Sequence, residues 1–93
     1  MFISCDDVKK IMAEKDAQLV DVRTESEFQM NQIPGSINLP LQDIELHGEA
    51  KLDKSKPVVV FCRSGGRSQM AMQILISLGF NEVYNMGSYQ VWR

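Results

Sequence analysis

The sequence predicts an α/β fold with a mostly parallel central sheet, and three observations carry that prediction. Pro57-Val58-Val59-Val60-Phe61 is apolar at every position, as a strand must be when helices cover both faces of its sheet. Short β-branched runs alternate with segments of helical periodicity, the order expected of strand, crossover and parallel strand. The connections are short and carry turn residues, Pro34-Gly35 and Gly65-Gly66 among them.

Each element has its own local reason. Ser4 with Asp7 three residues on starts a helix near 5 to 15, whose Val8, Ile11 and Met12 fall on one face. Gln18-Leu19-Val20-Asp21-Val22 follows as a buried strand with a polar Asp at its end. Thr24-Glu25-Ser26-Glu27 is a capping box, so a short second helix should carry Phe28 inward. After the Pro34-Gly35 turn, Ser36-Ile37-Asn38-Leu39 reads as a short strand closed by Pro40. Leu41, Ile44 and Leu46 then predict a brief amphipathic turn before a polar loop holding His47.

The Val58 to Phe61 strand points at Cys62. Beyond it a helix is expected from Arg67 to Leu78, apolar at Met70, Ala71, Ile74, Leu75 and Leu78, with Gly79 just past its end. Glu82 to Asn85 reads as the last strand, and Gly87 introduces a final turn bearing Val91 and the packing anchor Trp92.

With 93 residues, residues 1–93 are expected to form a single domain, because two cores would not fit. A chain 44% hydrophobic and 24% charged is neither disordered nor collagen-like. Its net charge of −2 points to no nucleic acid and no anionic membrane as partner. No apolar run approaches the roughly 18 residues of a membrane span, and the first residues lack a basic region followed by an apolar core. A soluble protein of the reducing cytoplasm is the expectation. Two distant cysteines and one histidine supply neither a structural disulfide nor metal-ligand spacing, so no cofactor is expected. The charge is nevertheless unevenly spread. Residues 54 to 81 contain no Asp or Glu but carry Lys54, Lys56, Arg63 and Arg67, hence +4, while the rest carries −6.

Two of those arginines flank the candidate site, Cys62-Arg63-Ser64-Gly65-Gly66-Arg67-Ser68. A cysteine at the carboxyl end of a parallel strand, before a glycine-containing loop that opens a helix, lies where open α/β sheets bind ligands. Backbone N–H groups of such a loop and the helix N-terminus together favour an anion. Arg63 and Arg67 add charge of the same sign. All these groups favour thiolate over thiol, so Cys62 is expected to be a nucleophile near neutral pH. An inert buried thiol is the alternative, disfavoured by the convergence of glycines, arginines and helix start.

The loop resembles that of rhodanese-type sulfurtransferases, which run C-x4-R, rather than the cysteine phosphatases, which run C-x5-R. Cys62 to Arg67 has the shorter spacing, and Ser68 stands where a phosphatase would need its arginine. The resemblance continues in Asp21-Val22-Arg23, in Glu27-Phe28, in Ile33-Pro34-Gly35-Ser36-Ile37-Asn38-Leu39-Pro40, and in Leu78-Gly79-Phe80 through Gly87 with Trp92. Gln32, Ser36 and Ser88 depart from the family's usual residues, and the chain ends at Arg93, just past the Trp.

The resemblance implies a rhodanese-like fold whose central sheet has about five strands flanked by helices on both faces. It implies that Cys62 is the catalytic residue, taking sulfur from a small anionic donor such as thiosulfate as a persulfide and passing it to a thiol, thioredoxin-type or cyanide acceptor. Arg63, Ser64, Gly65, Gly66, Arg67 and Ser68 would cradle the donor. Asp21, Arg23 and Glu27 are expected to be structural, with Arg23 and Glu27 as an ion pair. A persulfide carrier or redox module using the same cysteine is the alternative function.

Overall fold

The computed structural model describes residues 2–93. Its elements are α1 (Cys5–Lys15), β1 (Gln18–Asp21), α2 (Glu25–Met30), β2 (Ile37–Asn38), α3 (Ile44–Lys51), β3 (Val58–Cys62), α4 (Gly66–Ser77) and β4 (Val83–Ser88). Single 3-10 turns precede α3 at Leu41–Asp43 and follow β4 at Tyr89–Val91. The strands form one parallel sheet in the order β2-β1-β3-β4.

The side-chain period of a strand divides the core in two. Val58, Val60 and Cys62 pack with Ile44 of α3 and Ala71 and Leu75 of α4. Val59 and Phe61 point the other way, against Val8 of α1, Ile33 and Met86. All five residues of β3 are buried, and each large apolar side chain there contributes roughly 1.5–3 kcal/mol. Helices therefore cover both faces, as the uninterrupted apolar run requires.

Local signals place most boundaries. The Ser4 side chain accepts the Asp7 N–H at 3.1 Å and starts α1. Both halves of the Thr24–Glu27 capping box are present at α2. Gly79, at φ 101°, ends the α4 segment in the left-handed region that favours glycine.

Tertiary packing changes other details. The sheet has four strands where about five were expected; beside β4 the chain start makes a single backbone link, the Ile3 N–H to the Asn85 carbonyl at 2.9 Å. His47 lies within α3, not in a polar loop. That helix is held by Ile44, buried against Ala71 and Leu75 of α4, and its Gly48 is buried on the same side. Phe28 is only half-buried and α2 has no buried residue. Met70 and Leu46 face solvent, because the groove between α3 and α4 is filled by Ile44, Ala71 and Leu75.

A bulge shapes the carboxyl end of the sheet. Val60 is opposite Asn85, but Phe61 is opposite Gly87, so Met86 is the extra residue of β4. Met86 turns into the α1 side of the core, while Asn85 keeps the α4 side.

Candidate active site

Strand β3 ends in Cys62, and the chain turns through Arg63, Ser64 and Gly65 into α4. Gly65 has φ 105° and ψ −13°, backbone that a side chain would strain. This conformation turns its N–H toward the Cys62 sulfur, 3.0 Å from nitrogen to Sγ. The Phe2 ring lies over both Gly65 and Gly87, so that a Cβ on either would come within 2.5 Å of it.

Cys62 is 1% exposed. Burial alone pushes its thiol up, but the Ser68 hydroxyl and then the backbone N–H groups of Ser68, Gly65 and Ser64 outweigh it and leave the pKa lowered. The Gly65 N–H donates to the sulfur at the start of a helix of 12 residues, and the Ser68 hydroxyl lies 3.5 Å from it. Cys5, the other cysteine, is buried at the start of α1 and is also free.

The loop residues divide by where they point. Arg63, Ser64 and Gly66 are exposed, Arg67 is half-buried, and Gly65 and Ser68 are buried. Ser68 Oγ lies 3.5 Å from Cys62 Sγ and 2.7 Å from Asn85 Oδ1. The Arg67 guanidinium donates to both Glu27 oxygens, at 2.7 and 3.1 Å. That contact is the main cause of the Glu27 pKa falling to about 2, followed by the Thr24 backbone bond.

The ion pair expected between Arg23 and Glu27 is replaced by two others. Arg23 joins Asp21, with its Nη2 at 2.7 Å from Asp21 Oδ2 and its Nε at 3.1 Å from both oxygens. It also donates to Asn31 and stacks on the Tyr89 ring at 4.2 Å. Asp21 and Arg23 are 0% and 2% exposed, so the pair is sealed beneath the loops. Sequence neighbours at i and i+4 on a helix pair readily, but Arg23 precedes α2 and its side chain turns back to the strand end.

A cleft of about 170 Å³ opens beside the loop, lined by Arg23, Glu27, Met30, Asn31, Arg63 and Tyr89. A larger apolar concavity of about 510 Å³, lined by residues that include Phe2, Cys5 and Val91, does not contain Cys62. The charged cleft, not the larger one, adjoins the loop that follows Cys62. Asn85 and Tyr89 were missed from sequence. For Asn85 a signal was present, a polar residue inside the Val83-Tyr84-Asn85-Met86 strand where a covered position should be apolar.

Among the described residues no three His, Cys, Asp or Glu side chains are grouped as metal ligands, and no helix is long and apolar enough to cross a membrane.

Comparison with known proteins agrees with this geometry. The family model described as the rhodanese-like domain matches residues 4–93. The chain is 42% identical over 83 residues to the thiosulfate sulfurtransferase GlpE of Pseudomonas savastanoi pv. phaseolicola, spanning 88% of this chain and 77% of that protein. It is similar to a rhodanese from E. coli solved with anions, at 32% identity and TM-score 0.73 over 81% of this chain and 89% of that one. A human single-domain sulfurtransferase superposes with TM-score 0.79 at 28% identity, over 98% of this chain and 93% of its own.

Proposed function

The chain belongs to the rhodanese-like domain family of sulfurtransferases, and from that premise we propose that it is a thiosulfate sulfurtransferase with Cys62 as its nucleophile. The observation that carries the reading is the Gly65 N–H aimed at the Cys62 sulfur from 3.0 Å, inside a loop with four residues between Cys62 and Arg67.

The Cys62 thiolate attacks the outer sulfur of thiosulfate. A bond forms between the two sulfurs, the sulfur–sulfur bond of thiosulfate breaks, and sulfite departs with the electron pair. Cys62 is left as a persulfide whose negative charge sits on the outer sulfur, so total charge is conserved. An acceptor thiolate or cyanide then attacks that outer sulfur and returns Cys62 to the thiolate. This covalent path needs a nucleophile ionised near neutral pH, and the loop supplies it without a general base. His47, the one histidine of the chain, lies on α3 and takes no part.

The N–H groups of the loop support both the thiolate and the anionic donor. Arg63 is exposed beside the cleft and attracts donor anions, whereas Arg67 braces the loop through Glu27. Ser64 and Gly66 border the opening, and Gly65 and Ser68 form its floor. The acceptor is a thiol or thioredoxin-type protein, and the site of action is the cytoplasm.

The test is intact-mass measurement after incubation with thiosulfate. The protein gains one sulfur, cyanide removes it, and Cys62→Ser takes up none. Uptake from a persulfidated protein but not from thiosulfate would make the chain a carrier instead.

A further inference from the structure

Ser68 Oγ carries one proton, and three acceptors lie within reach: Asn85 Oδ1 at 2.7 Å, the Gly65 carbonyl at 3.1 Å and Cys62 Sγ at 3.5 Å. The orientation of the Asn85 amide decides between them. The Gly87 N–H donates to Asn85 Oδ1 at 2.8 Å. Asn85 Nδ2 faces two acceptors, Gln69 Oε1 at 3.3 Å and the Gly65 carbonyl at 3.4 Å. Reversing the amide would set donor against donor at Gly87 and acceptor against acceptor at Gly65. Asn85 therefore presents oxygen to Ser68, and Ser68 gives it the proton. Ser68 is 0% and Asn85 3% exposed, so water does not replace either partner.

We propose that Asn85 is a positioning residue for the Cys62 sulfur, acting through the single proton of Ser68. While Cys62 is a thiol or carries an outer sulfur, its Sγ is neutral and the proton stays on Asn85. When the free thiolate forms, Sγ becomes the stronger acceptor and the hydroxyl turns to it, giving up Asn85. The contest weakens support for the empty thiolate without touching the loaded form, whose charge lies on the outer sulfur. Asn85 thus biases Cys62 toward holding sulfur. The bulge at Met86 makes this possible, because it brings the Gly87 N–H onto the side chain of Asn85.

The inference rests on the reading of Cys62 as the sulfur-bearing residue, but its test needs no sulfur donor, so the two can fail separately. The measurement is the pH dependence of Cys62 alkylation by iodoacetamide, mapped by peptide mass. The charged and titratable groups around the loop are Arg63 and Arg67, Asp21 and Arg23 at the end of β1, Glu27 on α2, and Tyr89. All are kept in every variant.

Asn85→Asp retains the acceptor for Gly87 and Ser68 and strengthens it, so the alkylation midpoint rises by about one pH unit, tenfold in rate below the midpoint. Asn85→Leu frees the Ser68 proton for sulfur, so the midpoint falls, and in a Ser68→Ala background that fall disappears. Loosened packing would move both variants the same way. Shifts of one sign, or a Leu shift that survives Ser68→Ala, overturn the proposal. Should Asn85→Leu not fold, the S–H stretching band of the otherwise unaltered protein at low pH replaces it. The Cys62 thiol then donates to the Ser68 oxygen, and the band rises in frequency in Ser68→Ala; an unmoved band overturns the proposal.

Discussion

Glu27 on α2 holds both terminal nitrogens of Arg67 on α4, at 2.7 and 3.1 Å, and so ties the first turn of the helix behind Cys62 to the opposite side of the cleft. The paired geometry matches the fork of a guanidinium to a carboxylate. It leaves Arg63 as the arginine of the loop that faces solvent.

The pair makes stability depend on acid in a defined window. The Arg67 hydrogen bond, and then the Thr24 backbone N–H, lower the Glu27 pKa from 4.5 to about 2. A carboxylate whose folded pKa lies below its unfolded one stabilises fully above the unfolded value. That contribution is lost as pH falls from 4.5 toward about 2. Because both side chains are about one-third exposed, the pair contributes only about 0.5–1 kcal/mol at neutral pH. Glu27→Gln should lower the melting temperature at pH 7 and converge with the parent near pH 2. Coincident melting temperatures at every pH would show that the contact is energetically silent, and a constant offset would show that the Glu27 charge is not what stabilises.

Gly65 is required by backbone as well as by space. At φ 105° an alanine is strained, and its Cβ would stand 2.3 Å from the Phe2 ring. Gly65→Ala is expected to destabilise by about 1–3 kcal/mol and to slow alkylation of Cys62 as the N–H swings off the sulfur. The Phe2 ring is half exposed and can move. Adding Phe2→Ala therefore restores only a minor part of the loss, read by urea unfolding; full restoration would assign the whole effect to the ring.

What could be read from sequence and what could not follows the range of the contacts. The loop, its glycines and the two caps are local, set by residues three or four apart, and they stand in the structure where the residues put them. Partner choice among Arg23, Glu27 and Arg67 is not local. Glu27 meets Arg67 across 40 residues, and no periodicity encodes that encounter. Helix α3 escaped for a similar reason: Gly48 argues against a helix in isolation, but the helix is held by long-range packing, with Ile44 buried against Ala71 and Leu75 of α4. Asn85 was overlooked because the bulge that gives it partners is a property of two paired strands.

Asp21 and Arg23 predict a large and asymmetric mutational cost. Both are buried, and Arg23 satisfies its donors on Asp21 and Asn31. Asp21→Ala leaves a guanidinium without its counter-charge and should cost about 3–5 kcal/mol. Replacing both, Asp21→Ala with Arg23→Met, removes the stranded charge and should cost less than the single change. Chemical denaturation of the two variants beside the parent checks the order. A double variant weaker than Asp21→Ala would mean that Arg23 contributes mainly through its stack on Tyr89.

Arg63 offers the means of separating attraction of the donor from construction of the loop. It is exposed beside the cleft, while the other arginine of the loop is engaged by Glu27. Its removal should therefore cost little stability, within about 0.5 kcal/mol as for other surface positions. Arg63→Glu reverses the charge nearest the opening without altering the N–H groups that face the sulfur. The expected result is a rise in KM for thiosulfate of roughly tenfold at low salt, with kcat nearly unchanged. That rise should shrink as ionic strength passes about 0.15 M, where the screening length falls to about 8 Å. An acceptor thiol that is uncharged apart from its thiolate should show a weaker salt dependence in the second half-reaction, since it brings one negative charge to Arg63 where thiosulfate brings two. If kcat fell instead and salt had no effect, Arg63 would belong to the chemical step rather than to the approach of the donor.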